Sequence, residues 1–343
     1  MKNYPANSLK IDWIITPLVC WFYAGLFIDI WGHNHLKSTN LETFFTPSHY
    51  LFYSGFIAIA LSYSLIALKN YQAGFPWLKS LPRGYSLLHI AIFGLGGFAD
   101  FLWHSAFGLE KNLDALISPA HLFLGIGTTL LLTGPIRSAW QQPATKKSFL
   151  FQLPLIISLT VLWTCYSVVT EYAHPIFQPV FEGAFYNKAN IFTMQSLGVA
   201  SIILQSLLMI SIIYLNLFRW KFAFGSLTIL IASNTILMSM MASKNMTPGF
   251  NYIVGGILSG LLIDLLHSYL KPSLVNPVKF QLFSFLTPII YISTYFGILY
   301  FGRGFWTSTH LTIGVILESA IAVWFYSLII LFALNSKKPL PRI

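Results

Sequence analysis

The chain has 343 residues, of which 56% are hydrophobic, 17% aromatic and only 9% charged, and its mean hydropathy is +0.68. Such a composition excludes a water-soluble domain. The formal net charge of +10 raises nucleic acid as a partner, but the placement of the basic residues argues against it.

About 20 consecutive apolar residues cross a hydrocarbon core roughly 30 Å thick. Runs of that kind fall at about 11–30, 47–68, 86–104, 118–136, 149–170, 191–218, 222–242, 251–270, 281–301 and 308–334. In lipid only helices or closed barrels satisfy the backbone, and runs this long are helical. The expected fold is therefore all-α: a polytopic transmembrane bundle of about ten spans, read as one integral membrane domain over 1–343. A first helical-hairpin repeat occupies 11–68, a second 86–136, and six further spans fill 149–334. The first run lacks a small-residue cleavage site and reads as a span, not a signal peptide. Cys20 and Cys165 both fall inside expected spans, which argues against a disulfide framework.

With the N-terminus in the cytoplasm, most basic residues lie on the inner side, among them Lys10, Lys69, Lys79, Arg137, Lys146, Lys147, Arg219, Lys221, Lys271 and Lys279. Lys37, Lys111, Lys188, Lys244 and Arg303 are left outside. This positive-inside bias reports orientation, so no nucleic-acid partner is expected. The expected location is a bacterial-type inner membrane, with both termini cytoplasmic. On this topology His33, His35, His49, His104, His121, His174 and His310 lie at the outer face, and only His89 and His267 at the inner one.

The chain repeats itself. Asp29, His33 and His49 correspond to Asp100, His104 and His121, offset by 71, 71 and 72 positions. Each unit ends one helix with Asp-x3-His and opens the next with Thr/Ser-Pro-x-His. Thr46 and Ser118 are expected helix caps, with Pro47 and Pro119 in the first turn. Gly55, Gly125 and Gly127 follow, small enough to let helices approach closely in lipid.

Residues four apart share a helix face, about 6 Å apart along the axis. Asp29 with His33, and Asp100 with His104, can therefore point at a common atom, and His49 or His121 from the next helix completes a two-His-one-carboxylate set. Imidazole suits copper, zinc, iron and nickel, and an open position permits chemistry. A lone acid–His pair at a helix end is more often a local hydrogen bond. Two copies with matching spacing favour a metal, because ionisable groups within spans cost roughly 2.5–3.5 kcal/mol at mid-membrane and are usually functional.

Other polar residues are weaker candidates. His35 is a further ligand or a solvated loop residue, and Glu42 and Asp114 are candidates to orient the histidines. Glu171 with His174 forms a third site or a bridge. His310, followed by Gly314, echoes the repeat, and Glu318 is a relay acid or a buried helix contact. Asp264 and His267 read as a structural pair. The segment 173–190 is a candidate cap.

Asp-x3-His followed by Thr-Pro-Ser-His resembles the C subunit of the copper-dependent membrane monooxygenases, the particulate methane and ammonia monooxygenase family, over about residues 25–130. The intervals between histidines here, 15 and 16 residues, are longer than the family's usual ones, and ten spans exceed its number. The resemblance implies one or two copper ions, with zinc, iron or haem as alternatives. It also implies an oxygen-dependent oxidation of a small apolar substrate reached from the lipid bilayer, and partner subunits or a homo-oligomer. The other readings are copper transport or homeostasis, with Asp264, His267 and His89 on the inner path, and haem or quinone redox chemistry.

Overall fold

A computed structural model describes residues 8–36, 47–77, 80–82, 84–108, 113–142, 148–302 and 304–335. Among these residues the secondary structure is helical, apart from two isolated β-bridges. The chain forms two compact units, Met1–Cys165 and Tyr166–Ile343.

The first unit contains α1 (Ser8–His35), α2 (Pro47–Gln72), α3 (Leu87–Phe107), α4 (Asp114–Ile117), α5 (Pro119–Leu132), α6 (Gly134–Trp140) and most of α7 (Phe149–Val169). The second contains α8 (Ile191–Leu217), α9 (Ser226–Ala242), α10 (Phe250–Leu270), α11 (Pro277–Phe301) and α12 (Thr309–Asn335). Among the described residues, eight helices are long and apolar enough to cross a membrane. Two of the ten expected spans differ. The run at 118–136 is a helix pair bent by 46° between α5 and α6, and α9 has only 17 residues.

The bend has a local cause. Pro135 supplies no N–H to Leu131 O, the carbonyl one turn back, and the Thr133 hydroxyl adds a second bond to Thr129 O at 2.6 Å, beside that from its own backbone N–H at 3.1 Å. Arg137 then holds α6 in place: Nε donates to Gly84 O at 3.0 Å, and Nη2 to Leu130 O at 2.7 Å and His89 Nδ1 at 3.0 Å.

Glycine contacts set the hairpins. A Cβ on Gly55 would lie 2.6 Å from Phe22 Cα, and one on Gly25 would lie 2.5 Å from Phe52 Cα. In the second hairpin, a Cβ on Gly127 would come 2.7 Å from Phe93 Cα, and one on Gly96 3.3 Å from Leu124 Cα. These positions are repeat partners: Gly25 with Gly96, Phe22 with Phe93, Gly55 with Gly127. The same close crossing is thus built twice, where only a missing side chain lets the backbones meet. Gly125 does not share this role, since a Cβ there would meet nothing within 4 Å.

In the second unit the segment after α7 folds back as a cap. Phe181 is fully buried, its ring lies 5.8 Å from that of Phe296, and Trp306 Nε1 donates to Val180 O at 2.8 Å. Asp264 and His267 do not form a pair with each other there. Asp264 accepts from Thr228 N at 2.7 Å, Thr228 Oγ1 at 2.6 Å and Leu227 N at 3.4 Å, so it caps the start of α9. His267 lies between the rings of Phe222 and Phe283.

Candidate metal centres

Each hairpin brings its acid and its two histidines together. Asp29 and His33 sit in the last two turns of α1, one turn apart, and His49 sits in the first turn of α2. His33 Nε2 is 3.7 Å from Asp29 Oδ2, and His49 Nε2 is 3.3 Å from Asp29 Oδ1. The second group reproduces this from α3 and α5: Asp100 Oδ1 lies 3.4 Å from His104 Nε2 and 3.2 Å from His121 Nε2. In each group the three ligand atoms all lie within 4.8 Å of one another, and both carboxylates are buried.

These separations can be compared with two alternatives. A charge-assisted N–H···O bond closes to about 2.7–2.9 Å. Two ligands about 2.1 Å from one tetrahedral ion are separated by about 3.4 Å along the tetrahedron edge. The observed 3.2–3.7 Å clusters at the second value. In both groups two imidazoles approach the carboxylate through Nε2, leaving room between them for a shared cation. Three protein ligands leave a position open.

The second group is oriented from behind. His104 Nδ1 lies 3.2 Å from Gly108 O. A carbonyl only accepts, so Nδ1 carries the proton and a neutral His104 presents a lone pair at Nε2. Gly108, at φ 81°, makes the turn that returns this carbonyl to the ring. His121 Nδ1 lies 3.0 Å from Ser118 Oγ, which also accepts from His121 N at 3.3 Å. The cap expected at Ser118 therefore starts α5 and touches the imidazole as well. In the first group the His33 side chain is 45% exposed, against 15% for His104, so the two sites differ in how firmly that ring is enclosed.

The remaining candidates stand apart from these groups. His35 Nδ1 donates to Trp31 O at 3.1 Å and its ring stacks on Trp31. Glu171 and His174 are buried beside the cap of the second unit, where His174 Nδ1 accepts from Ile176 N at 3.2 Å. Burial pushes the His174 imidazole down to about 3, which keeps it neutral. His310 and Glu318 lie exposed on α12. Among the described residues, no group of three ligands includes any of these five. Glu42 and Thr46 lie outside the described residues. Asp114 opens the short helix α4.

Sequence reasoning missed Gly108 as the support of His104, and Tyr53, whose ring centroid lies 5.9 Å from that of His49. The 71-residue offset applied to Gly25 and Gly96 was a readable signal of the helix crossing beneath each site. Fold and site together define a multi-pass helical protein with two Asp/His/His groups able to hold a metal ion. No protein-family model, curated protein or solved structure matches the chain.

Proposed function

We propose that the protein is an integral membrane metalloprotein that binds one ion at Asp29, His33 and His49 and a second at Asp100, His104 and His121. The observation that carries this reading is the twofold recurrence of acid-to-imidazole distances matching the edge of a small coordination polyhedron. Imidazole with a single carboxylate suits copper among several metals, and the sequence resemblance favours copper. On that resemblance the reaction is an oxygen-dependent oxidation of a small apolar substrate entering from the lipid. Bound copper would supply the oxygen-activating chemistry. The chain's own residues bind and orient: Asp29 and Asp100 neutralise part of the ion's charge, and Gly108 O fixes the His104 tautomer. The proposed setting is a bacterial-type inner membrane, with the sites at the outer face and both termini inside.

Transport is less well supported by the residues it would need. Asp264 is engaged in capping α9, and His89 accepts from Arg137. Metal analysis of detergent-purified protein tests the proposal. Two ions per chain are expected, falling to one in His49→Ala or His121→Ala and to none in the double variant. A metal-free wild-type protein after reconstitution with copper would overturn it.

A further inference from the structure

The duplication supplies an internal comparison. His33 and His104 occupy the same place in Asp-x3-His, so a difference between them comes from their surroundings and not from the ligand type. His104 is clamped by one residue in two ways. Gly108 N donates to His104 O at 2.9 Å, and Gly108 O accepts from His104 Nδ1 at 3.2 Å. His33 has no such backing. Its Nε2 faces Asp29, its ring lies 6.0 Å from that of His49, and among the described residues no group bonds its Nδ1.

Distance and exposure single out the same residue. In the second group both imidazoles lie nearest to Asp100 Oδ1, at 3.4 Å and 3.2 Å. In the first group they divide, His49 against Asp29 Oδ1 at 3.3 Å and His33 against Oδ2 at 3.7 Å, the longest of the four separations. The His33 side chain is 45% exposed, against 16% for His49, 15% for His104 and 29% for His121. Once its bond to an ion breaks, an exposed and unbacked imidazole has water to rotate into, and exposed side chains change rotamer within nanoseconds. The bared side of the ion then faces that water. A ring held at Nδ1 stays in place and re-forms its bond, and outer partners of this kind are worth about 10- to 100-fold in metal affinity.

On the reading that both groups hold copper, we propose that the two centres are unequal: the one at Asp29, His33 and His49 exchanges its ion with a water-borne copper chelate, and the one at Asp100, His104 and His121 retains its ion. His33 is the ligand that yields. Its Nε2 bond to the ion breaks as a donor atom of the chelate bonds in its place, and the ion passes between the two ligand sets with its charge unchanged.

Copper(II)-loaded protein in detergent, challenged with excess EDTA, tests this, with the copper retained measured at intervals by elemental analysis. Wild type should lose one ion per chain at least about tenfold faster than the other. His49→Ala should show the slow loss alone, and His121→Ala the fast loss alone. Gly108→Val places a β-branched residue at φ 81°, which displaces the carbonyl behind His104 and should quicken the slow loss by about tenfold. Gly74→Val, at φ 90° with nothing within 4 Å of the added Cβ, should leave both rates unchanged. Loss of both ions at one rate overturns the proposal, as does a fast loss that survives His49→Ala and vanishes in His121→Ala, or an unmoved slow loss in copper-replete Gly108→Val. A wild-type protein that takes up no copper overturns the metal reading itself, and is recognised before any EDTA is added.

Discussion

Gly127→Ala should damage one metal centre and spare the other. A Cβ at 127 would lie 2.7 Å from Phe93 Cα and 2.9 Å from Phe93 Cβ, whereas ordinary contact begins at 3.4 Å and extends to 4 Å. Backbone cannot swing aside as a long side chain does, so α3 and α5 must part by about 1 Å at that level. His121 stands six residues from Gly127 and Asp100 seven from Phe93, about 10 Å of stiff helix. Carried to the site, this displacement opens the Asp100 to His121 separation from 3.2 Å to about 4 Å. That exceeds the tetrahedral edge of about 3.4 Å, so one ligand must stretch or detach. The expected loss is on the order of 10- to 100-fold in affinity at the second centre, with about 1–3 kcal/mol of overpacking cost to the fold. The first centre rests on α1 and α2, whose crossing is unaltered. Copper titration in detergent should therefore resolve one site near wild-type affinity and one weakened site. Gly97→Ala, where the added Cβ meets nothing within 4 Å, serves as the control. Equal weakening of both sites, or of neither, would refute the claim that each crossing sets the geometry of its own centre.

Asp264→Asn replaces a carboxylate oxygen that accepts from the start of α9 with an amide that cannot accept there in the same way. The thermal midpoint should fall by the equivalent of about 1–3 kcal/mol, with metal content unchanged. Transport as the function predicts the reverse, altered cellular metal with little change in melting. Arg137→Met removes the donors that hold α6 to Gly84, Leu130 and His89, and should lower the melting temperature while leaving both metals bound. His174 contributes an acid limb to stability. Its folded value, about 3, lies below its unfolded value of 6.5, so between these pH values the unfolded chain binds the extra proton. Stability thus rises with pH through this window, by up to about 1.4 kcal/mol per unit, and the full contribution is present above about 6.5. His174→Gln should flatten the dependence of melting temperature on pH between about 4 and 6, and an unchanged slope would remove this account.

Much of the architecture was legible along the chain because lipid imposes one rule, that backbone polar groups close within helices. Length and hydropathy alone therefore located α1, α2, α3, α7, α8, α10, α11 and α12. The departures arose where local chemistry competes with that rule. Thr133-Gly134-Pro135 interrupts the ladder, and the resulting bend is stabilised by Arg137, whose partners at Gly84 and His89 are distant in sequence. Hydropathy averages over such a break. Asp264 and His267 looked like a pair because they stand three positions apart, yet helix α9 offers unsatisfied N–H groups that a buried carboxylate accepts from more favourably.

The site divides along the same line. From the sequence alone came the acid and imidazole types, their one-turn spacing and their duplication, because helical periodicity turns positions four apart into neighbours. Whether His49 and His121 reach the acids depends on a helix crossing, and that was decided by Gly25 against Phe52 and Gly127 against Phe93, backbone to backbone. His35 is held apart from the ligands it adjoins in sequence by Trp31, one turn back in the same helix, whereas the contact of Phe56 of one hairpin with Phe93 of the other came only with the tertiary packing. A linear pattern records which chemistry a chain carries. The separations of 3.3 Å from His49 to Asp29 and 3.2 Å from His121 to Asp100, between atoms on different helices, arise only once the apolar faces have packed, since those contacts and not the spacing of the letters set where each helix end arrives.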